Sequence, residues 1–420
     1  MAFDFRAVLR FTSRLLSRTR DRSFGWTPRR AAIFLALYLL YPIFELLVWL
    51  NLITDDLLFR AYRKVRVTLP VFIVGNFRSG TTLLFRLLAL DRERFTTMKM
   101  WEILFAPSIV GRKVVRALTT ADRWLGRILA RHVVEMEEQW HQGNVMHKTS
   151  LREPEEDDYL LLHNWSALTF GLSSSLLEEA RPYAYFDSAL PHTDRDRIMA
   201  FYHRCVQRHL YADRCDGRGP RQYLAKNPAL TPKLDSVLER FPDARIICLV
   251  RNPLEAIPSF LNMMNYSWRV LGGPEQSPEL REFILDMAHH WYTYPLDRLE
   301  RAPEGNYIFI RYDDLVADPQ ATVANIYNRF GFDLSTAYNQ VLQSQAQKAR
   351  RYRSRHQYTL EQTGLTRQRI LDEYAEIFDR FGFETGEPAP PAGRKTHRRP
   401  IPPRKRGLRQ EPGLSPGSGA

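Results

Sequence analysis

Cysteine is scarce. The 420-residue chain has three, Cys205, Cys215 and Cys248, enough for at most one disulfide, so no disulfide framework holds the fold. Cys248 sits inside an apolar run and reads as a small hydrophobe. Lysine is scarce too, nine against 51 arginines, which is a bias of composition rather than a sign of many guanidinium sites. Acids are nearly missing from the two ends. Residues 1–30 carry eight Arg and two Asp, and residues 393–410 carry eight Lys or Arg and no acid. The net charge of +13 therefore belongs to the termini, and the body is close to neutral. A nucleic-acid groove needs its cations on the folded surface, so no nucleic-acid partner is expected. Metal-ligand spacing is lacking as well: His141, His147 and His163 form no HExxH pair, and no two cysteines are close enough for zinc. No metal is expected.

What is present is ordinary for a globular chain. With 44% apolar and 25% charged residues, collagen-like, wholly disordered and polytopic membrane classes are excluded. Residues 1–66 form a basic and hydrophobic segment suited to a membrane surface. Arg6, Arg10, Arg14 and Arg18 make an i, i+4 stripe, while Phe5, Leu9, Leu15 and Leu16 cover another side of the same helix. Ile33–Ile53 follows, with 14 of its 21 residues Leu, Ile, Phe or Val, interrupted by Pro42, Glu45 and Asn51. Fourteen such residues at about −0.3 to −0.6 kcal/mol each outweigh one central carboxylate at about +3. In-plane or spanning association is the expectation, with a buried helical hairpin broken near Pro42 as the alternative. From 67 to 385, apolar β-branched runs alternate with helical patterns, the mark of an α/β fold with a parallel sheet flanked by helices. Its clearest strands are Val71–Gly75, Arg245–Val250 and Tyr307–Tyr312. Residues 386–420 turn to Pro, Gly, Ser and Arg and read as a disordered basic tail.

One constellation carries chemistry. Pro70-Val-Phe-Ile-Val-Gly75-Asn-Phe-Arg78-Ser79-Gly80-Thr81-Thr82 is a buried strand, a tight turn and a helix start, whose amides and dipole favour a phosphate group. A Walker loop would place Lys after the second Gly, but Thr81 stands there and the cation is Arg78. Leu224-Ala-Lys226-Asn227-Pro228 and Phe241 to Ser259 form a second block, in which Arg251 ends a strand and Ser259 lies two helical turns on. Arg251 at the carboxyl end of a strand faces the sheet edge where open α/β folds bind ligands; a plain pair with Glu255 is the bland alternative. Ile310-Arg-Tyr312-Asp-Asp-Leu-Val-Ala-Asp-Pro319 is the third block.

Phe77–Thr82 resembles the 5′-phosphosulfate loop of sulfotransferases that use 3′-phosphoadenosine 5′-phosphosulfate, of the protein-tyrosine and bacterial membrane-associated type. The other two blocks resemble that family's 3′-phosphate region and adenine-side strand, in the same order, over roughly residues 67–385. The resemblance implies a P-loop-like fold and sulfo transfer to a hydroxyl-bearing acceptor, and it leaves lipid, carbohydrate, small molecule and tyrosine open as the acceptor. It also implies that the donor is bound by Arg78, Ser79, Gly80, Thr81, Thr82, Arg251, Ser259 and Tyr312. Arg78 and Lys226 would stabilise the bridging oxygen and the sulfonate. Glu102, in Met100-Trp-Glu-Ile, stands about where tyrosine-type enzymes carry their base, with Trp101 to restrict water. The acids Glu153, Glu155, Glu156, Asp157 and Asp158 precede an apolar run and read first as helix-start residues that favour the dipole. Acceptor binding or base duty is their second reading. Arg350, Arg351, Arg353, Arg355 and His356 read as a solvated charge run or a basic loop over the nucleotide. A nucleotide-dependent phosphotransferase is the alternative function. Because the donor is made in the cytosol, the catalytic domain is expected at the cytoplasmic face of a membrane, with a single-pass enzyme facing the lumen or exterior as the alternative.

Overall fold

Short runs of β-branched and aromatic residues pair into one parallel sheet. The computed structural model describes residues 5–18, 28–143, 150–173, 176–217, 219–271, 277–351, 360 and 363–386. Its strands are β1 (Val71–Gly75), β2 (Phe95–Thr96), β3 (Gln222–Lys226), β4 (Arg245–Val250) and β5 (Tyr307–Arg311), ordered β2-β3-β1-β4-β5. Every pairing is parallel. β1 is central and wholly buried, which is why its sequence is a continuous apolar run rather than an alternation. Val71 and Ile73 pack on one face with Leu84, Phe85 and Leu249. Phe72 and Val74 pack on the other with Ala225, Cys248 and Tyr202. The sequence pattern marks β1, β4 and β5 and misses β2 and β3; β5 stops at Arg311 because Tyr312 opens a short helix, Tyr312–Ala317. Cys205, Cys215 and Cys248 are free thiols.

The helices that frame the site come early in the chain: α1 (Phe5–Arg18), α2 (Pro28–Leu58), α3 (Thr81–Leu88), α4 (Met100–Leu104), α5 (Ile109–Trp124) and α6 (Ile128–Gly143). Met1–Phe383 forms one compact unit and Glu384–Ala420 a second, of which only residues 384–386 are described.

The N-terminal segment packs on the body, and it does so without the hairpin that was the alternative to membrane association. Arg10 and Arg14 pair with Glu179 and Glu178 of the body, so part of the arginine stripe meets protein carboxylates. And α2 runs unbroken through Pro42, so the hairpin does not form. No helix among the described residues is long and apolar enough to cross a membrane. α2 lies along the body on one polar seam at helical spacing. The Tyr41 hydroxyl donates to the Leu162 carbonyl at 3.0 Å, Glu45 meets His163 Nδ1 at 2.9 Å, and Trp49 Nε1 donates to the His163 carbonyl at 2.9 Å. Val48 and Leu52 join the main core.

At the end of α2, Asp55 is fully buried. It accepts from the amides of Ile109 and Val110 at 2.7 and 2.9 Å, capping α5, and it pairs with buried Arg208 at 3.1 Å. Removing one partner of a buried ion pair leaves the other uncompensated. Asp55→Ala is expected to cost about 3–5 kcal/mol, measured by denaturant unfolding. A loss under about 1 kcal/mol would mean that Arg208 has found water and that α2 is not seated as described.

Candidate active site

In a parallel sheet the carboxyl ends of the strands open onto one edge, and here that edge gathers Gly75, Lys226, Arg251 and Tyr312. The loop after β1 is shaped by close approach. Gly75 has φ +128°, and a Cβ there would stand 2.1 Å from the Leu249 carbonyl oxygen. Gly80 has φ +86°, and a Cβ there would stand 2.5 Å from the Tyr312 ring, so the glycine lets the tyrosine lie against the loop. Between them Arg78 takes φ 67°, a left-handed conformation that a non-glycine residue adopts only when its surroundings hold it. Two contacts do so. Its Nε donates to Ser259 Oγ at 3.0 Å, and its carbonyl accepts from Arg251 Nη1 at 3.0 Å. Arg251 also pairs with Glu255 at 2.7 Å and lies over the Tyr312 ring at 4.2 Å. The pair with Glu255 is thus present, but as one contact among several. Phe77 stacks on Phe260 at 4.6 Å and fixes the loop's outer turn. Ser79 is fully buried, and its Oγ has no hydrogen-bond partner among the described residues. Thr81 and Thr82 open α3, where backbone amides are left for an anion.

Lys226 ends β3 and is completely buried. Its Nζ stands 2.8 Å from Glu156, 3.1 Å from Glu155 and 3.3 Å from Thr82 Oγ1. Burial pushes the ammonium toward neutrality, but Glu156 and Glu155 overcome it and hold the pKa above its usual value. The cation is therefore permanent.

Glu102 sits on a neighbouring segment. Its carboxylate accepts from the Lys99 amide at 2.8 Å and faces buried Arg112 at 3.3 Å. Arg112 in turn donates to His209 Nδ1 at 2.9 Å; burial and Arg112 hold His209 far below its ordinary pKa, so it is neutral and accepts. The Glu102 segment lies beside the acidic run, since Met100 N donates to the Glu153 carbonyl and Glu155 N to the Met98 carbonyl.

The acidic run is where sequence reasoning fell short. Asp157–Asn164 is a 3₁₀ helix, but its acids do far more than favour a dipole. Glu155 and Glu156 hold Lys226, Asp158 holds buried Lys233 at 2.9 Å, and Asp157 accepts from Tyr202, Tyr223 and Asn227. A signal was available: in a chain with nine lysines, two, Lys226 and Lys233, stand seven residues apart. The side chains of Arg350 and Arg351, and residues Arg353, Arg355 and His356, lie outside the described residues. Among the described residues no group of His, Cys, Asp and Glu could hold a metal ion.

A parallel sheet with a phosphate loop that carries Arg78 and Thr81 in place of a Walker lysine defines a group-transfer enzyme and does not favour a kinase. Residues 70–336 match the model of the Sulfotransferase family, and the chain belongs to that family of sulfo-transferring enzymes. It is 27% identical over 327 residues to omega-hydroxy-beta-dihydromenaquinone-9 sulfotransferase Stf3 of Mycobacterium bovis and of Mycobacterium tuberculosis, covering 76% of this chain and 77% of each relative. Among solved structures the fold is similar to sulfotransferase STF9 of Mycobacterium avium, with TM-score 0.63 and 18% identity, covering 80% of this chain and 82% of that one. It is also similar to STF1 of Mycobacterium tuberculosis, with TM-score 0.59 and 22% identity, covering 79% and 83%.

Asp157 supplies a pH test. Burial pushes its pKa up to about 6, above the usual unfolded value of about 3.9. The folded state then binds the extra proton between these values, so the stability tied to this group is complete below about pH 4 and is lost as pH rises through about 6. Melting of the wild type should therefore fall relative to Asp157→Asn across that window. Parallel curves for the two proteins would show that Asp157 keeps an ordinary pKa.

Proposed function

We propose that the enzyme transfers a sulfo group from 3′-phosphoadenosine 5′-phosphosulfate to the hydroxyl of an apolar acceptor at a membrane surface. One observation carries the donor assignment. The three motif blocks close into one wall, with Arg78 on Ser259, Arg251 on the Arg78 carbonyl and Tyr312 against both Gly80 and Arg251. Such a wall fits a nucleotide with two separated anionic groups. Arg78, Ser79, Gly80, Thr81, Thr82 and Lys226 would meet the phosphosulfate, Arg251 and Ser259 the 3′-phosphate, and Tyr312 the adenine. The orphaned Ser79 Oγ supports this, because a buried hydroxyl without a partner costs about 1–3 kcal/mol until a ligand oxygen reaches it.

The donor supplies an activated sulfur bonded to a phosphate that leaves as adenosine 3′,5′-bisphosphate. The protein's part is positioning and charge, as in phosphoryl transfer. Arg78 and Lys226 offset the negative charge that gathers on the bridging oxygen and the sulfonate as the acceptor oxygen bonds to sulfur. The acceptor's proton goes to Glu102. A second reading, favoured by their contact with Lys226, gives it to Glu155 or Glu156. The acceptor class rests on the relatives, whose names specify a hydroxylated menaquinone; only a lipid-like alcohol is carried over to this chain. An acceptor of that kind resides in a bilayer. The N-terminal segment, 1–66, is the proposed contact with it, residues 67–385 the transfer domain on its cytoplasmic side, and 386–420 a basic tail.

Incubation with the donor and a long-chain prenyl alcohol should yield a sulfo-ester by mass spectrometry, with one adenosine bisphosphate per product. Transfer that requires ATP and magnesium instead would overturn the reading. Arg78→Ala should cost about 10² to 10³ in turnover with the fold retained, whereas Arg251→Ala should weaken bisphosphate binding by calorimetry more than it slows turnover. Near-normal values for both would remove these residues from the site. For the proton, Glu102→Gln should lower turnover and leave nucleotide affinity unchanged; a fully active Glu102→Gln beside an inactive Glu155→Gln or Glu156→Gln moves the base to the acidic run.

A further inference from the structure

Most of the exposed large apolar side chains among the described residues fall on two adjoining elements. The first is α2, whose seam faces the body and whose opposite side exposes Leu39, Leu40, Ile43, Leu46, Leu50 and Leu57. From Leu39 to Leu58 no charged side chain is exposed, along about 30 Å of helix. The second is the α5–α6 hairpin, which packs against the end of α2 through the Asp55 cap and through Lys113 over the Phe59 ring. Within the hairpin, Arg112 and Asp122 face inward and are buried, Asp122 taking the amides of Leu129 and Ala130 at 2.8 and 3.0 Å. On the outward side Val114, Leu118 and Leu125 recur at helical spacing. At the tip Trp124 is 87% exposed and Leu125 68%, followed by Ile128, Leu129 and Met136.

Charge identifies what covers this face. On α5 and the turn into α6, residues 109–131, the exposed charges are Lys113, Arg116, Arg123, Arg127 and Arg131, and the single acid, Asp122, is buried; the exposed acids Glu135 and Glu138 come about two turns further along α6. Arg116 is answered by Asp216 of the body. A second copy of the chain would bring these cations against their like, at a cost in repulsion. A bilayer with anionic headgroups offers both things the face lacks, acyl chains for Trp124 and Leu125 and phosphates for the arginines that flank them.

We infer that the α5–α6 hairpin is a second bilayer contact, which inserts its Trp124–Leu125 tip among the lipids beside the outer face of α2. This rests on the lipid-like acceptor proposed above, and it explains how an enzyme with no bilayer-crossing helix among its described residues takes an alcohol from within a bilayer. The hairpin leads back through α6, where Glu137 holds the Leu151 amide at 2.7 Å, to the segment that carries Glu155 and Glu156. The Glu137 carboxylate thus ties the hairpin to Leu151, four residues before Glu155.

The full chain should bind phosphatidylcholine vesicles that contain phosphatidylglycerol more strongly than vesicles of phosphatidylcholine alone. Arg123→Glu with Arg127→Glu should abolish that preference. Replacing Trp124 and Leu125 together by Ser should lower vesicle partition by at least about tenfold, even at high salt. Because α2 also contributes, a local readout is needed. Acyl chains carrying bromine should quench tryptophan fluorescence in the wild type and measurably less in Trp124→Phe. All variants should keep wild-type turnover on a short, water-soluble alcohol. Quenching unchanged in Trp124→Phe would overturn the inference, as would a dimer in solution that Trp124→Ser turns to monomer. Absence of sulfo transfer to the soluble alcohol by the wild type would instead remove the proposed function and leave the vesicle result standing.

Discussion

A lysine ammonium cannot stay charged in a protein interior unless carboxylates come with it, and Lys226 brings two. Taking such an ion out of water costs several kcal/mol, so the position of Glu155 and Glu156 is dictated as soon as β3 ends in a buried cation. The segment that follows repeats the bargain in miniature: Asp157 gathers two phenols and an amide, and Asp158 gathers Lys233. Four consecutive acids are thereby nailed to the mouth of the sheet. The phosphate loop needs this, since Thr82 shares the Lys226 ammonium and α3 is oriented by it.

The same logic governs the periphery of the site. Arg208 is matched by Asp55, and Arg112 by Glu102. In each case a helix terminus is held as well, α5 by Asp55 and α4 by Glu102 accepting from the Lys99 amide. Charges taken out of water therefore set the angles at which the early helices meet the sheet, while the apolar clusters on its two faces supply most of the burial.

How much of this was legible in the sequence depends on where each signal is stored. β1, β4 and the phosphate loop are local: a run of β-branched residues buried on both faces, then glycines where the backbone must turn left-handed. β3 is not, because Gln222-Tyr-Leu-Ala-Lys226 has neither a clean alternation nor an apolar run, and it is a strand only because β1 and β2 flank it. The acidic run was read for its nearest neighbours in the chain, while its real partners lie some 70 residues away. Glu45 misleads for the same reason. In the sequence it is a penalty inside an apolar stretch; in the fold it is the anchor that turns one side of α2 toward His163 and leaves the other side bare.

His163 has a further meaning. Its Nδ1 meets Glu45 on α2 and its Nε2 meets the Ile103 carbonyl, one residue from Glu102, both at 2.9 Å. A single aromatic ring thus spans the distance between the outermost helix and the floor of the site, and a rigid ring transmits displacement without absorbing it. A displacement of α2 would therefore be felt first at Ile103, beside Glu102, so the surface helix is tied to the candidate site as well as to the core.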